Sequence, residues 1–221
     1  MPGAAATDAL DILNSGGGPP TDRGGRGGGD FRSREPAPAS ERERRMYLTG
    51  VSLSLAAILM FFMALASSYI VRKGTGNDWQ PIDLPRIMWL NTAILVASSI
   101  TIEVARRKLI ASGDVAAFRN WWAITTALGM LFLGGQIVAW RELAEQGLFL
   151  STNPSSSFFY LLTAAHGAHL LFGLVALLYV ALRAAQPAWR RRAIAAEATA
   201  VYWHFLDGLW VFLLLLLNFG R

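Results

Sequence analysis

Tyr202-Trp203-His204-Phe205-Leu206-Asp207-Gly208-Leu209-Trp210-Val211-Phe212, continued by the leucines from Leu213 to Leu217, sets a histidine and a carboxylate inside an otherwise apolar run. An α-helix needs about twenty predominantly apolar residues to cross the roughly 30 Å of bilayer hydrocarbon, and this run is that long. Ionisable groups are costly at such depth and normally face a partner, a cavity or another helix. His204 and Asp207 are therefore candidates for function on physical grounds alone.

The rest of the 221-residue chain agrees with a membrane setting. It is 53% hydrophobic and only 16% charged, too apolar and charge-poor for an ordinary soluble domain. Five apolar segments, over residues 47–71, 85–105, 120–141, 157–182 and 198–220, each have spanning length. Loop punctuation separates them: Lys73-Gly74-Thr75-Gly76-Asn77-Asp78, Ser112-Gly113-Asp114, Ser151-Thr152-Asn153-Pro154-Ser155 and Gln186-Pro187. The expected fold is all-α, a polytopic bundle of five transmembrane helices over residues 46–221. Cysteine is absent, which removes disulfides, thiolate metal sites and cysteine nucleophiles from consideration.

Residues 1–45 form a Gly/Pro/Arg-rich tail, with Gly16-Gly17-Gly18-Pro19-Pro20 and Gly24-Gly25-Arg26-Gly27-Gly28-Gly29 and few large apolar side chains. Such a segment cannot bury enough surface to offset its ordering entropy and is expected to be disordered. It lacks the apolar core of a signal peptide, so cleavage is not expected. The formal charge of +5 gives no reason to expect a nucleic-acid partner, because the basic residues sit mostly at the ends of apolar spans. Thirteen of them flank one set of span ends (Arg32, Arg34, Arg42, Arg44, Arg45; Arg106, Arg107, Lys108, Arg119; Arg183, Arg190, Arg191, Arg192) against five at the other (Arg72, Lys73, Arg86, Arg141, Arg221). The positive-inside rule then puts the N-terminus in the cytoplasm and the C-terminus in the periplasm. Trp79, Trp89, Trp121, Trp122, Trp140 and Trp189 fall near span ends, where an interfacial aromatic belt is expected.

Polar residues within the spans carry whatever chemistry the chain has. His166 and His169 are three apart on the fourth span, as are His204 and Asp207 on the fifth, so each pair shares a helix face. From a start near Ala198, a rise of 1.5 Å per residue puts His204 roughly 9 Å and Asp207 roughly 13 Å deep. The fourth span enters from the opposite side, so a buried group of His166, His169, His204 and Asp207 is geometrically allowed, with Asp207 offsetting its desolvation by pairing with a histidine. A metal or haem site would need ligands from a second helix, for which only His204 remains. Proton relay is the sharper reading of the group and a structural polar clamp the plainer one. Asn91, Thr92 and Gln136 are suited to interhelical hydrogen bonds, Gly167 and Gly173 to close backbone approach, and Trp203 and Trp210 to interhelical packing. Glu103 and Glu197 lie near helix ends within reach of water.

From about residue 46 to the C-terminus the chain resembles subunit III of the haem-copper oxidases. The resemblance rests on Trp89-Leu90-Asn91-Thr92 with Ser98-Ser99-Ile100-Thr101, on Leu128-Gly129-Met130-Leu131-Phe132-Leu133 with Gln136, on Phe158-Phe159-Tyr160-Leu161-Leu162-Thr163 leading to His166-Gly167-Ala168-His169, and on Tyr202-Trp203-His204-Phe205-Leu206-Asp207 before Trp210, in that order. Five spans suit the shorter bacterial form. The resemblance implies a subunit with no catalytic, cofactor or metal residues of its own, packed against catalytic subunit I and near subunit II of a proton-pumping terminal oxidase in a bacterial inner membrane. Haem and copper would reside in those partners. This chain would bind phospholipid in a cleft between helices, stabilise the complex and support proton uptake. A nitric oxide reductase component, a haem-bearing membrane anchor using His166, His169 and His204, and a small proton-coupled transporter are the rival readings. The family commonly has a glutamate ahead of two aromatics on the matching first span. Ala56-Ala57-Ile58 stands there instead, so no role of that carboxylate transfers. Ala165 likewise replaces a common glycine.

Overall fold

The computed structural model describes residues 39–76, 79–183 and 189–219. The tail over residues 1–38, Arg221 and the side chains of Trp189, Arg190, Arg191 and Arg192 lie outside what it describes. The described regular structure is helical: α1 (Ala39–Thr75), α2 (Ile87–Ser112), α3 (Val115–Glu145), α4 (Pro154–Arg183) and α5 (Trp189–Phe219). All five are long and apolar enough to cross a membrane.

The helices run past the apolar segments that nucleate them, because helical hydrogen bonding need not stop where hydrocarbon does. Helix α1 begins at Ala39, well before the apolar segment near residue 47. Its first turns are charged, with Glu41 accepting from Arg45 at 2.9 Å one turn on. The α2–α3 corner is the tightest connection. Gly113 takes the left-handed conformation (φ 62°) to close α2, and the Asp114 carboxylate accepts from the Ala117 amide at 2.9 Å to open α3. Asn153 starts α4 in the same manner, its Oδ1 accepting from the Ser156 amide at 2.8 Å.

In a bilayer little hydrophobic force drives helices together, so small residues and polar contacts decide the packing. Trp203, fully buried, sits at the centre. A Cβ on Gly129 of α3 would lie 2.7 Å from its ring, and one on Gly173 of α4 would lie 3.2 Å from it. Its indole N–H donates to Ser98 Oγ of α2 at 2.9 Å. One side chain of α5 thus touches three other helices. Gly173 lies at a close approach, whereas the nearest atom a Cβ at Gly167 would meet is a Leu133 methyl at 4.0 Å. The tight contacts fall at Gly129 and at Gly135, where a Cβ would collide with the Asn91 side chain of α2.

Other indoles repeat the pattern. Trp122 donates to the Leu177 carbonyl at 2.9 Å, Trp140 to Thr163 Oγ1 at 3.1 Å and Trp210 to Thr92 Oγ1 at 3.0 Å. Trp122 is thereby a fully buried core residue and not a member of the interfacial belt, because its N–H finds a carbonyl inside the bundle. Trp89 is about half exposed, in keeping with an interfacial place. Helix α1 is attached more lightly. Its apolar side chains are mostly exposed, and it holds to the bundle through Phe62 and Tyr69 and through a two-pronged ion pair from Arg44 to Glu197 of α5 (3.0 and 2.5 Å).

Trp203→Ala should lower the unfolding midpoint of the detergent-solubilised chain by the equivalent of about 3–5 kcal/mol, the range for a large aromatic removed from a packed core. Ser98→Ala, which removes the hydrogen bond to that ring together with the hydroxyl's own bond to the Leu95 carbonyl inside α2 but leaves the packing, should cost about 0.6 kcal/mol, the average for an interhelical bond in a membrane protein. Similar losses from the two variants would show that the bond, and not the packing, holds α5.

Candidate functional site

The sequence brings four ionisable residues to comparable depth, and the structure distributes them over three neighbourhoods. His166 is fully buried on α4 against aromatic rings, 5.0 Å from the Trp210 ring and 6.0 Å from that of Phe132. Neither of its nitrogens has a hydrogen-bond partner among the described residues. His169, a turn on, faces α1, with Phe62 at 5.4 Å and Phe61 at 6.1 Å between ring centroids. Its Nδ1 donates to the Ala165 carbonyl at 2.7 Å. Tyr202 of α5 donates to the His169 carbonyl at 3.0 Å.

His204 and Asp207 face α2. His204 Nδ1 lies 2.5 Å from Ser99 Oγ, and Glu103 and Arg106, one and two turns further along α2, act on the ring electrostatically. Asp207 is 6% exposed, and neither carboxylate oxygen has a hydrogen-bond partner among the described residues. Ser99, on the facing helix, is not within hydrogen-bond geometry of it. The expected pairing of Asp207 with a histidine is therefore not made, because His204 shares its helix and directs its ring to Ser99. Among the described residues no three His, Asp or Glu side chains gather into a metal-sized group.

Glu103 and Glu197 stand at the charged end of the same seam. Glu103 accepts from Arg106 at 2.8 Å and from Arg107 at 2.7 Å, and Glu197 from Arg44. Ser99 was legible only as part of a polar stretch; its pairing across 105 residues with His204 depends on the rotation of α2 against α5. The packing residues lie close by. Thr92 takes the Trp210 N–H, Asn91 abuts Gly135, and Gln136 is buried with neither amide atom bonded among the described residues.

The cytochrome c oxidase subunit III family matches residues 44–220. The chain belongs to this family. It is 36% identical to cytochrome c oxidase subunit 3 of Synechocystis sp. over 173 residues, covering 76% of this chain and 72% of that one. It is 33% identical over 184 residues to the probable cytochrome c oxidase subunit 3 of Nocardia farcinica (80% and 89%), and 32% identical over 186 residues to cytochrome c oxidase subunit 3 of Corynebacterium diphtheriae (79% and 88%). Subunit III is the accessory subunit of a haem-copper oxidase. The nitric oxide reductase, haem-anchor and transporter readings are not favoured.

The unpartnered Asp207 makes a stability prediction opposite in sense to that for Trp203. Asp207→Asn keeps the shape, breaks no hydrogen bond among the described residues and removes a group that can carry buried charge. Its unfolding midpoint should stay within about 1 kcal/mol of the parent chain, the size of one net hydrogen bond. A loss as large as that of Trp203→Ala would mean that the carboxyl holds the bundle together.

Proposed function

We propose that this chain is the membrane-embedded subunit III that packs on catalytic subunit I, beside subunit II, of a proton-pumping terminal oxidase in a bacterial inner membrane. It stabilises the complex and supports proton uptake, while haem and copper reside in the partner subunits. The observation that carries this reading is the match across nearly the whole helical bundle to oxidase subunits III, together with long apolar faces on α1 that the bundle itself does not cover. The half-buried His204 and the buried Asp207, beside a charged helix end, support the proton-uptake part of this reading.

Phospholipid is the proposed occupant of a cleft of about 890 Å³ between α1 and the α4–α5 pair, lined by Tyr47, Gly50, Ile58, His169, Phe172 and Tyr202. Its mostly apolar walls suit acyl chains. Ile58 lines this cleft, so the side chain that replaces the family carboxylate presents an apolar surface to it. The proposed orientation has the N-terminus cytoplasmic and the C-terminus periplasmic. It rests on the thirteen-to-five asymmetry of basic residues and is supported by Arg44, Arg106 and Arg107 gathering at one end of the bundle.

Purification through a tag on this chain should bring down haem- and copper-containing subunits in fixed ratio, with oxygen-reducing activity. Recovery of the chain without them would sink the reading. A reporter fused after Arg221 should be active only if it works in the periplasm, and one placed between Ser112 and Asp114 only if it works in the cytoplasm; the reverse pattern would overturn the orientation.

A further inference from the structure

We propose that Asp207 is a proton-binding site loaded through a two-member relay, His204 and Ser99, from the end of the bundle that carries Glu103, Arg106 and Glu197. The proposal deepens the accessory-subunit reading by naming the group that takes the proton and its route. Asp207 is a carboxyl without structural work. It is buried, and neither of its oxygens has a hydrogen-bond partner among the described residues. A group so costly to bury without a partner is a functional candidate inside a membrane.

The seam between α2 and α5 leads to it. Glu103, whose side chain is 26% exposed, and Arg106 reach the bundle end and act electrostatically on His204. Glu197 on α5, paired with Arg44 of α1, stands at the same end and interacts with Arg106. His204 is bonded through Nδ1 to Ser99 Oγ of the facing helix, and Asp207 stands one turn beyond His204 on the same face of α5. An imidazole bonded at one nitrogen can receive a proton at the other, which is the basis of histidine shuttles.

The transfer balances. A proton from water at the Glu103 end binds His204 Nε2, and the proton on Nδ1 passes to Ser99 Oγ. In the same step Ser99, the acceptor of that proton, releases its own hydroxyl proton to a carboxylate oxygen of Asp207. The carboxylate becomes a carboxylic acid, His204 is left neutral in its other tautomer, and no electron moves. Asp207 has no hydrogen-bond partner among the described residues to which it could pass the proton on, so in this proposal the site stores a proton and does not conduct one across the membrane.

Infrared spectroscopy of the purified full-length chain, with whatever subunits accompany it, tests this directly. The carboxylic-acid carbonyl band lost in Asp207→Asn identifies the site, and transfer to D₂O should shift that band. Ser99→Ala should slow the shift about a hundredfold, the low end of what a positioned proton-transfer group contributes. Ser99→Thr, which keeps the hydroxyl, should restore the parent rate, and His204→Gln should slow exchange as Ser99→Ala does. The proposal is overturned by finding no band that Asp207→Asn removes, or by unchanged exchange rates in Ser99→Ala and His204→Gln. The readout belongs to this chain alone. A relay found in a chain that brings down no oxidase subunits would therefore overturn the accessory-subunit reading and leave this one standing, and the converse result would do the opposite.

Discussion

The structure depends on one side chain fitting between two backbones. Trp203 of α5 occupies the space that glycines leave at Gly129 of α3 and Gly173 of α4, and its N–H is taken by Ser98 of α2. Lipid chains are as apolar as leucine, so burying apolar surface between helices gains little in a membrane, and shape complementarity must supply the specificity. A flat ring against bare backbone does so at more than one interface at once. With Trp203 placed, the rotation of α5 about its axis is set. Trp210, two turns on and nearly on the same face, then reaches Thr92 and the His166 ring.

Helix α1 shows the contrast. It contributes no comparable wedge, and its contacts are ring edges, Tyr69 against Trp79 and Phe158, with an ion pair near its N-terminal end. The Arg44 side chain is half exposed, and exposed pairs contribute little on their own. The light attachment and the neighbouring cleft belong together: a helix held along its length could not leave a space of this size beside it. Its exposed apolar residues, Leu53, Met60 and Ile70 among them, require hydrocarbon or another protein around them.

The number and type of elements were legible in the sequence because they follow from length and hydropathy, which local composition determines. So was the sharing of a face by His204 and Asp207, which follows from helical geometry. Partnership was not. Nothing local distinguishes Trp122, which turns inward to the Leu177 carbonyl, from Trp89, which stays half exposed. Nothing local favours Gly129 and Gly135 over Gly167 as points of close approach. The Arg44–Glu197 pair joins residues 153 positions apart, and the pairing of His204 with Ser99 instead of Asp207 depends on how two helices are rotated against each other. Rotation is a property of the packed bundle, and periodicity within one helix does not encode it.

That rotation links packing to chemistry. Ser98 and Ser99 are consecutive on α2, Trp203 and His204 are consecutive on α5, and each serine meets one member of the facing pair. Successive residues on a helix differ by about 100° in direction, so both contacts hold only in one register and one relative rotation of the two helices. A shift by one residue would break both together. Fitting Trp203 between its glycines therefore also sets Ser99 beside His204, one turn from Asp207 on the same face of α5. A bulkier side chain at Gly129 would act on the buried carboxyl without touching it, by turning the helix that carries it.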